Sequence, residues 1–176
     1  MLDQPERIVE RLKAFQKTVR DLVIQSRHKK NLRAIDRVSS ADTIYVIDSV
    51  VEPVMETFCE EWGRTTPLVL IAEGLEGERG TAVFPRGTRE EDALLRLIID
   101  PIDGTRGLMY DKRSAWALAG VAPNKGADTR LRDIEVSVMT ELPTGKSGYA
   151  DVLSAIKGRG THGERVDLRT DRKSVV

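Results

Sequence analysis

"LLRLIIDPIDGTRG", residues 94–107, runs from an apolar stretch into two aspartates three positions apart and then into Gly-Thr. The LRLII run reads as a strand, and Pro101 restricts Asp100 to an extended backbone. The Asp100 side chain therefore projects from a strand end. Asp103 follows after the turn, where Gly104 and Thr105 offer backbone N–H groups and a hydroxyl suited to an anion. Both acids are ionised near neutral pH. At roughly 5 Å and an effective dielectric near 20 their repulsion is on the order of 3 kcal/mol, so something must offset it. A bound cation would do so. A solvated turn would as well, and the residues alone leave both open.

Upstream, "PLVLIAEG" at 67–74 reads as a second buried strand, ending in Glu73. Two strand ends can thus bring three carboxylates together. Oxygen ligands without His or Cys favour Mg²⁺ or a similar hard cation.

Farther out, Ile8, Val9, Leu12, Phe15, Val19, Leu22 and Val23 recur at steps of three and four, with Pro5 suited to a first turn. The spacing predicts a helix from Pro5 to about Lys30. A polar stretch, "SRHKKNLRAIDRVSS", leads to a second periodic segment from about Asp42 to Trp62, within which Pro53 marks a kink or break. After Gly63 the texture changes to short apolar runs between Gly, Pro and charged residues: "PLVLIAEG", "TAVFPRG", "LLRLIID", "AWALAGVAP", "IEVSVMTELP" and "VLSAIKGRG". Two helices followed by strands predict an α+β fold, helices packed on a largely antiparallel sheet.

Composition narrows the function. With 176 residues, 40% hydrophobic and 32% charged, the chain has the makeup of a soluble globular domain. Lys and Arg (28) balance Asp and Glu (28), which gives no electrostatic reason to expect a nucleic acid polymer or a membrane as partner. The N-terminus, "MLDQPERIVERLKAF", has neither a signal peptide's apolar core nor a membrane span, and a cytoplasmic protein is the natural expectation. One cysteine, Cys59, falls at helical spacing with no basic neighbour, so it reads as a buried apolar residue; no disulfide framework or thiolate zinc site can be built from it.

Three signatures fail on inspection. "TGKSG" at 144–148 resembles the end of a P-loop, but position 140 is Thr where the motif needs Gly. "GRGTHG" at 158–163 fits G-x-G-x-x-G formally, yet no small-faced helix follows, and it reads as a glycine-rich strand or hairpin. His28 and His162 sit far apart in polar contexts, which argues against a histidine triad or zinc site.

"IIDPIDGTRG" resembles the D-P-[IL]-D-G-[ST] signature of the inositol monophosphatase family, the lithium-sensitive, magnesium-dependent sugar phosphatases. The surroundings are similar as well: a long first helix, a second carrying "IYVIDSVVEPV", the strand ending in Glu73, "AWALAGVAP" and the late hairpin "SAIKGRGTHGERV". The resemblance covers residues 5 to about 168 and implies the first half of that fold. It implies that Glu73, Asp100 and Asp103, with the Ile102 carbonyl, ligate metal. Thr105, together with Glu73, would orient the attacking water, and the Gly104 and Thr105 N–H groups would hold phosphate. A small-molecule phosphate ester would then be hydrolysed in line, without a phosphoenzyme. Family members often pair, so a homodimer is an expectation for the full-length protein.

The chain departs from the family in several places. Glu73 is followed by Gly74 where a second glutamate is usual, so that carboxylate is either missing or supplied from elsewhere, with Glu76 as a candidate. Asp48 matches an acidic position on the second helix, with a structural or third-metal role. The loop "RGLMYDKR" stands where many relatives have a shorter apolar turn, so substrate preference is open. Neither Trp62 nor Trp116 is followed by Asp, so the family's W-D motif does not occur in these residues, and the second domain that carries it is expected to be missing from this chain. We therefore expect residues 1–170 to form an N-terminal metal- and phosphate-binding domain, truncated, inactive or nearly so, and exposing apolar surface. "DRKSVV", residues 171–176, matches the translation of a common sequencing adapter (GAT CGG AAG AGC GTC GTG) and is expected to be a non-native tail. Rival readings are a phosphatase of the fructose-1,6-bisphosphatase or 3'-phosphoadenosine nucleotide type, and a non-catalytic metal- or phosphate-binding module.

Overall fold

The computed structural model describes residues 2–26, 35–38, 43–72, 75 and 80–176, with the backbone alone for 35–38 and 43–49. Helix α1, Pro5–Ser26, forms where the spacing predicts it and buries Ile8, Val9, Leu12, Phe15, Val19 and Val23 on one face. The expected last turn, to Lys30, and His28 lie outside the described residues.

Helix α2 runs Val46–Gly63 rather than from Asp42, because strand β2, Thr43–Tyr45, pairs antiparallel with β1, Ile35–Val38. This hairpin falls at the start of the segment read as helix. Thr, Ile and Tyr in succession favour an extended backbone, and that preference wins over the helical spacing of Ile44 with Ile47. Pro53 removes one backbone donor, yet the helix continues through it, and Thr57 Oγ1 donates to the Pro53 carbonyl at 2.8 Å.

The strands that follow are β3 (Leu68–Ala72), β4 (Thr81–Phe84), β5 (Leu95–Asp103), β6 (Ala115–Pro123), β7 (Val136–Leu142), β8 (Tyr149–Ile156), β9 (Gly160–Asp167) and β10 (Lys173–Val175). A short helix, α3 (Thr105–Met109), sits between β5 and β6. The eight strands make one sheet in the order β10-β9-β8-β7-β6-β5-β3-β4. All neighbours are antiparallel except β3 and β5, which run parallel from Leu68↔Leu95 to Ala72↔Ile99. The architecture is α+β, as the sequence predicts.

Both long helices cover one face of the sheet, α1 over β6 to β8 and α2 over β3 to β5. Strand β7 shows the consequence: Val136, Val138, Thr140 and Leu142 are buried, and the residues between them are not. Leu12, Leu70 and Leu97 are fully buried, each contributing about 1.5–3 kcal/mol. A buried polar pair fixes α1 on the sheet. Gln16 Nε2 donates to the Val138 carbonyl at 2.9 Å, while Thr140 Oγ1 donates to Gln16 Oε1 at 2.8 Å.

Cys59 is fully buried, and that burial, more than any charge, pushes its thiol up to about 12. "TGKSG" is the β7–β8 turn, closed by the Ser147 N–H on the Thr144 carbonyl at 3.1 Å. "GRGTHG" is the β8–β9 hairpin, where Gly158 and Gly160 take φ of +79° and +83°. His162 is exposed on β9. Residues 173–175 of the terminal segment pair with β9, and the Val176 N–H reaches the Gly163 carbonyl at 3.2 Å. Among the described residues no helix is long and apolar enough to cross a membrane.

Candidate metal and phosphate site

Strand β5 carries the site at its C-terminal end. Up to Asp100 its side chains alternate: Leu95, Leu97 and Ile99 point into the helix-covered core, while Arg96, Ile98 and Asp100 face the other side. Simple alternation would then send Asp103 inward. It does not, because Asp100 pairs with Leu118 and Asp103 with Trp116, so three steps on β5 match two on β6. The extra residue is a β-bulge, and it reverses the alternation. Ile102 turns in, 4% exposed, and Asp103 turns out beside Asp100. Proline at 101 fits this place, since a bulge leaves a backbone donor without a ladder partner.

Local hydrogen bonds set the rest. Asp100 Oδ1 accepts the Ile102 N–H at 3.1 Å, which orients the half-buried carboxylate. Gly104 caps α3 at φ 92° and ψ 25°, a left-handed conformation that turns the chain directly from strand to helix. The Thr105 hydroxyl donates to the Ile102 carbonyl at 2.8 Å. That carbonyl keeps a second lone pair.

The structure thus brings together Asp100, Ile102, Asp103, Gly104 and Thr105. Glu73 and Glu76 lie outside the described residues, and so does the Asp48 side chain; the Asp48 backbone is in α2. Among the described residues no three of His, Cys, Asp and Glu gather as a metal cluster. The last described residue of β3, Ala72, pairs with Ile99, and in both strands the next residue in sequence is an acid.

On the face away from the helices lies an open groove of about 470 Å³, bounded by Ile98, Leu118, Met139 and Leu153. Asp100 stands at its rim. Its lining is mostly apolar, so this carboxylate borders a surface poor in competing hydrogen-bond donors.

Sequence reasoning missed one part of the surroundings. Asp111 Oδ1 accepts the Gly145 N–H at 2.6 Å, tying the loop after α3 to the β7–β8 turn and placing Lys146 near it. The available signal was the glycine of "TGKSG", set aside with the P-loop motif.

No protein-family model matches the chain, and no curated protein matches it. Solved structures do. The holo form of fructose-1,6-bisphosphatase from Leishmania major matches at a TM-score of 0.71 and 14% identity, over 96% of this chain and 52% of that one. A staphylococcal inositol monophosphatase-1, soaked in LiCl as an inhibitory complex, matches at 0.63 and 15%, over 93% and 52%. An IMPase/NADP phosphatase complexed with NADP and Ca²⁺ matches at 0.60 and 15%, over 93% and 53%. The likeness shows a shared fold. The chain spans about half the length of each of these proteins.

Proposed function

We propose that the chain is the N-terminal part of a phosphomonoesterase of the inositol monophosphatase type, hydrolysing a small sugar or inositol phosphate. One observation carries this reading: the β5 bulge turns Asp100 and Asp103 to the same side, directly before the first turn of α3. Two adjacent carboxylates with a backbone carbonyl between them are a donor set of oxygens alone, suited to a hard divalent cation. The Ca²⁺ complex among the similar structures supports such use, and we assign Mg²⁺.

Asp100, Asp103 and the Ile102 carbonyl would hold the ion with Glu73. When bound, it would lower the pKa of water and neutralise phosphoryl charge. The protein's own groups do the positioning. The Gly104 and Thr105 N–H groups hold phosphate oxygens, and the Thr105 hydroxyl, fixed at Ile102, orients the attacking water with Glu73. The catalytic groups in this reading are Glu73, Asp100 and Thr105. The partner is a small-molecule phosphate ester, the setting cytoplasmic, and the full-length protein a homodimer.

The test is titration of the chain and of Asp100→Asn with Mn²⁺ as a spectroscopic substitute for Mg²⁺, alongside phosphate release with and without Mg²⁺ and Li⁺. We expect Asp100→Asn to lose metal binding and any Mg²⁺-dependent release. Equal Mn²⁺ binding by both proteins would overturn the reading. A second reading is a module that binds metal or phosphate through Asp100 and Asp103 without turnover. Metal binding without release from the intact gene product selects it. Substrate profiling of that product separates the inositol phosphatase reading from the fructose-bisphosphatase and nucleotidase types.

A further inference from the structure

Helices α1 and α2 leave an open groove of about 580 Å³ between them, lined by residues of these two helices alone. Small-molecule sites usually measure roughly 300–1,000 Å³. Aromatic side chains make its floor: Phe15 and Phe58 stack at 4.5 Å and 19°, and Phe58 meets Trp62 edge-on at 5.6 Å. Phe15 and Trp62 are buried, whereas Phe58 stays half-buried. Arg11 stands over Trp62, its Cζ 5.2 Å from the ring centre, and Glu61 lines the same groove. Farther along, Thr18 and Thr57 donate their hydroxyls to the Ala14 and Pro53 carbonyls at 3.1 and 2.8 Å, which spends those protons inside their own helices. Among the described residues Arg11 and Glu61 are the only charged groups of this lining, both exposed, and neither has an ion-pair or hydrogen-bond partner there. Charged neighbours on the two helices are engaged elsewhere: Lys13 with Glu10 and Glu164, Lys17 with Asp21, Glu56 with Arg86. Arg11 also borders a second cavity, to which Arg7 and Asp3 belong.

A cation and an acid that do not neutralise one another, set at an aromatic groove, match a ligand that carries both opposite charges next to a ring. The indole face holds the guanidinium in place, so its N–H fork is ordered before a carboxylate arrives. Less side-chain freedom is then lost on binding. An aromatic acid without an amine would be repelled by Glu61, and an aromatic amine without an acid by Arg11. A free α-amino acid carries both charges on a single carbon. Residues inside a polypeptide carry neither, so a peptide segment does not meet the pattern.

We propose that the α1–α2 groove binds a free aromatic α-amino acid. Its carboxylate meets the Arg11 guanidinium, its ammonium meets the Glu61 carboxylate, and its ring lies against Phe58. The helices cover the sheet face opposite the one that bears Asp100, so this ligand is not the substrate of the phosphatase reading, and the site stands whether or not that reading does.

The test is calorimetric titration of the 176-residue chain with L-phenylalanine and with hydrocinnamate, phenethylamine and L-alanine, which lack its ammonium, its carboxylate and its ring in turn. We expect L-phenylalanine to bind about tenfold or more tightly than each of the others. Arg11→Gln should weaken L-phenylalanine about tenfold and leave phenethylamine no weaker, and Glu61→Gln should weaken L-phenylalanine likewise and leave hydrocinnamate no weaker. Both positions are exposed, so neither change disturbs the core. Arg169→Gln, which removes a charge from exposed surface outside the groove, should leave all four ligands as they were. Equal affinity for L-phenylalanine and any of its three analogues overturns the site. So does unchanged L-phenylalanine binding in either Arg11→Gln or Glu61→Gln, or the lack of saturable L-phenylalanine binding at millimolar concentration.

Discussion

The Thr105 hydroxyl donates to the Ile102 carbonyl at 2.8 Å, so the first residue of α3 is tied to the bulge that turns Asp100 and Asp103 outward. Thr105→Ala removes the tie and should lower stability by about 1 kcal/mol. On the proposed phosphatase reading it should also cut Mg²⁺-dependent phosphate release at least about tenfold. Thr105→Ser restores the hydroxyl and should recover most of both. Urea midpoints and phosphate release report the two effects separately.

Gly104 takes φ 92°, while a Cβ there would meet nothing nearer than Ala115 at 3.7 Å. The demand for glycine is thus one of backbone conformation and not of space. Gly104→Ala should destabilise by about 1–2 kcal/mol, and Gly104→Asn by less, because asparagine tolerates the left-handed region. The check is the midpoint of chemical denaturation at unchanged slope. Equal losses for the two variants would mean that the side chain, and not the dihedral, sets the cost.

Gln16 and Thr140 are both buried and satisfy one another across the helix–sheet interface. Gln16→Leu strands the Thr140 hydroxyl, and Thr140→Val strands the Gln16 carbonyl oxygen. Each single change should cost about 1–3 kcal/mol. The double variant should cost less than their sum, and a double-mutant cycle measures the coupling.

Asp151 and Arg165 are register partners on β8 and β9, joined by two hydrogen bonds of 2.8 and 3.0 Å. The guanidinium hydrogen bond, ahead of a burial effect that acts the other way, holds the Asp151 carboxyl below its usual 3.8. A carboxyl depressed by folding contributes stability above its unfolded pKa and loses it as pH falls through the native value. The advantage of the unmodified chain over Asp151→Asn should therefore be constant at about pH 6, shrink as pH falls below the carboxyl's usual 3.8 and be lost once the carboxyl is protonated in the folded state as well. Denaturation series across that range test it. A difference that persists in strong acid would assign the pair's effect to packing.

Much of the local backbone arrangement at residues 100–105 was legible in sequence because its parts are contiguous. Proline after Asp100 and glycine after Asp103 announce a strand end, a break in pairing and a turn into helix, all within six residues. The bulge itself was not legible, since it exists only relative to Leu118 and Trp116 on another strand. The β1–β2 hairpin was hidden for a different reason: Ile44 satisfies both helical and extended spacing, and only pairing decides between them. Lys146 was out of reach because the contact that brings it in joins Asp111 to Gly145, 34 positions apart.

The sheet's two outermost strands are its shortest: β4 with four residues and β10 with three, the latter beginning at Lys173. Each border therefore exposes few unpaired amides and carbonyls, and one of them carries a charge that repels its own image. An array with such borders is terminated and offers little template for a second chain to zip onto. Growth into a cross-β fibre is blocked at both sides by strand length, before any specific contact is considered.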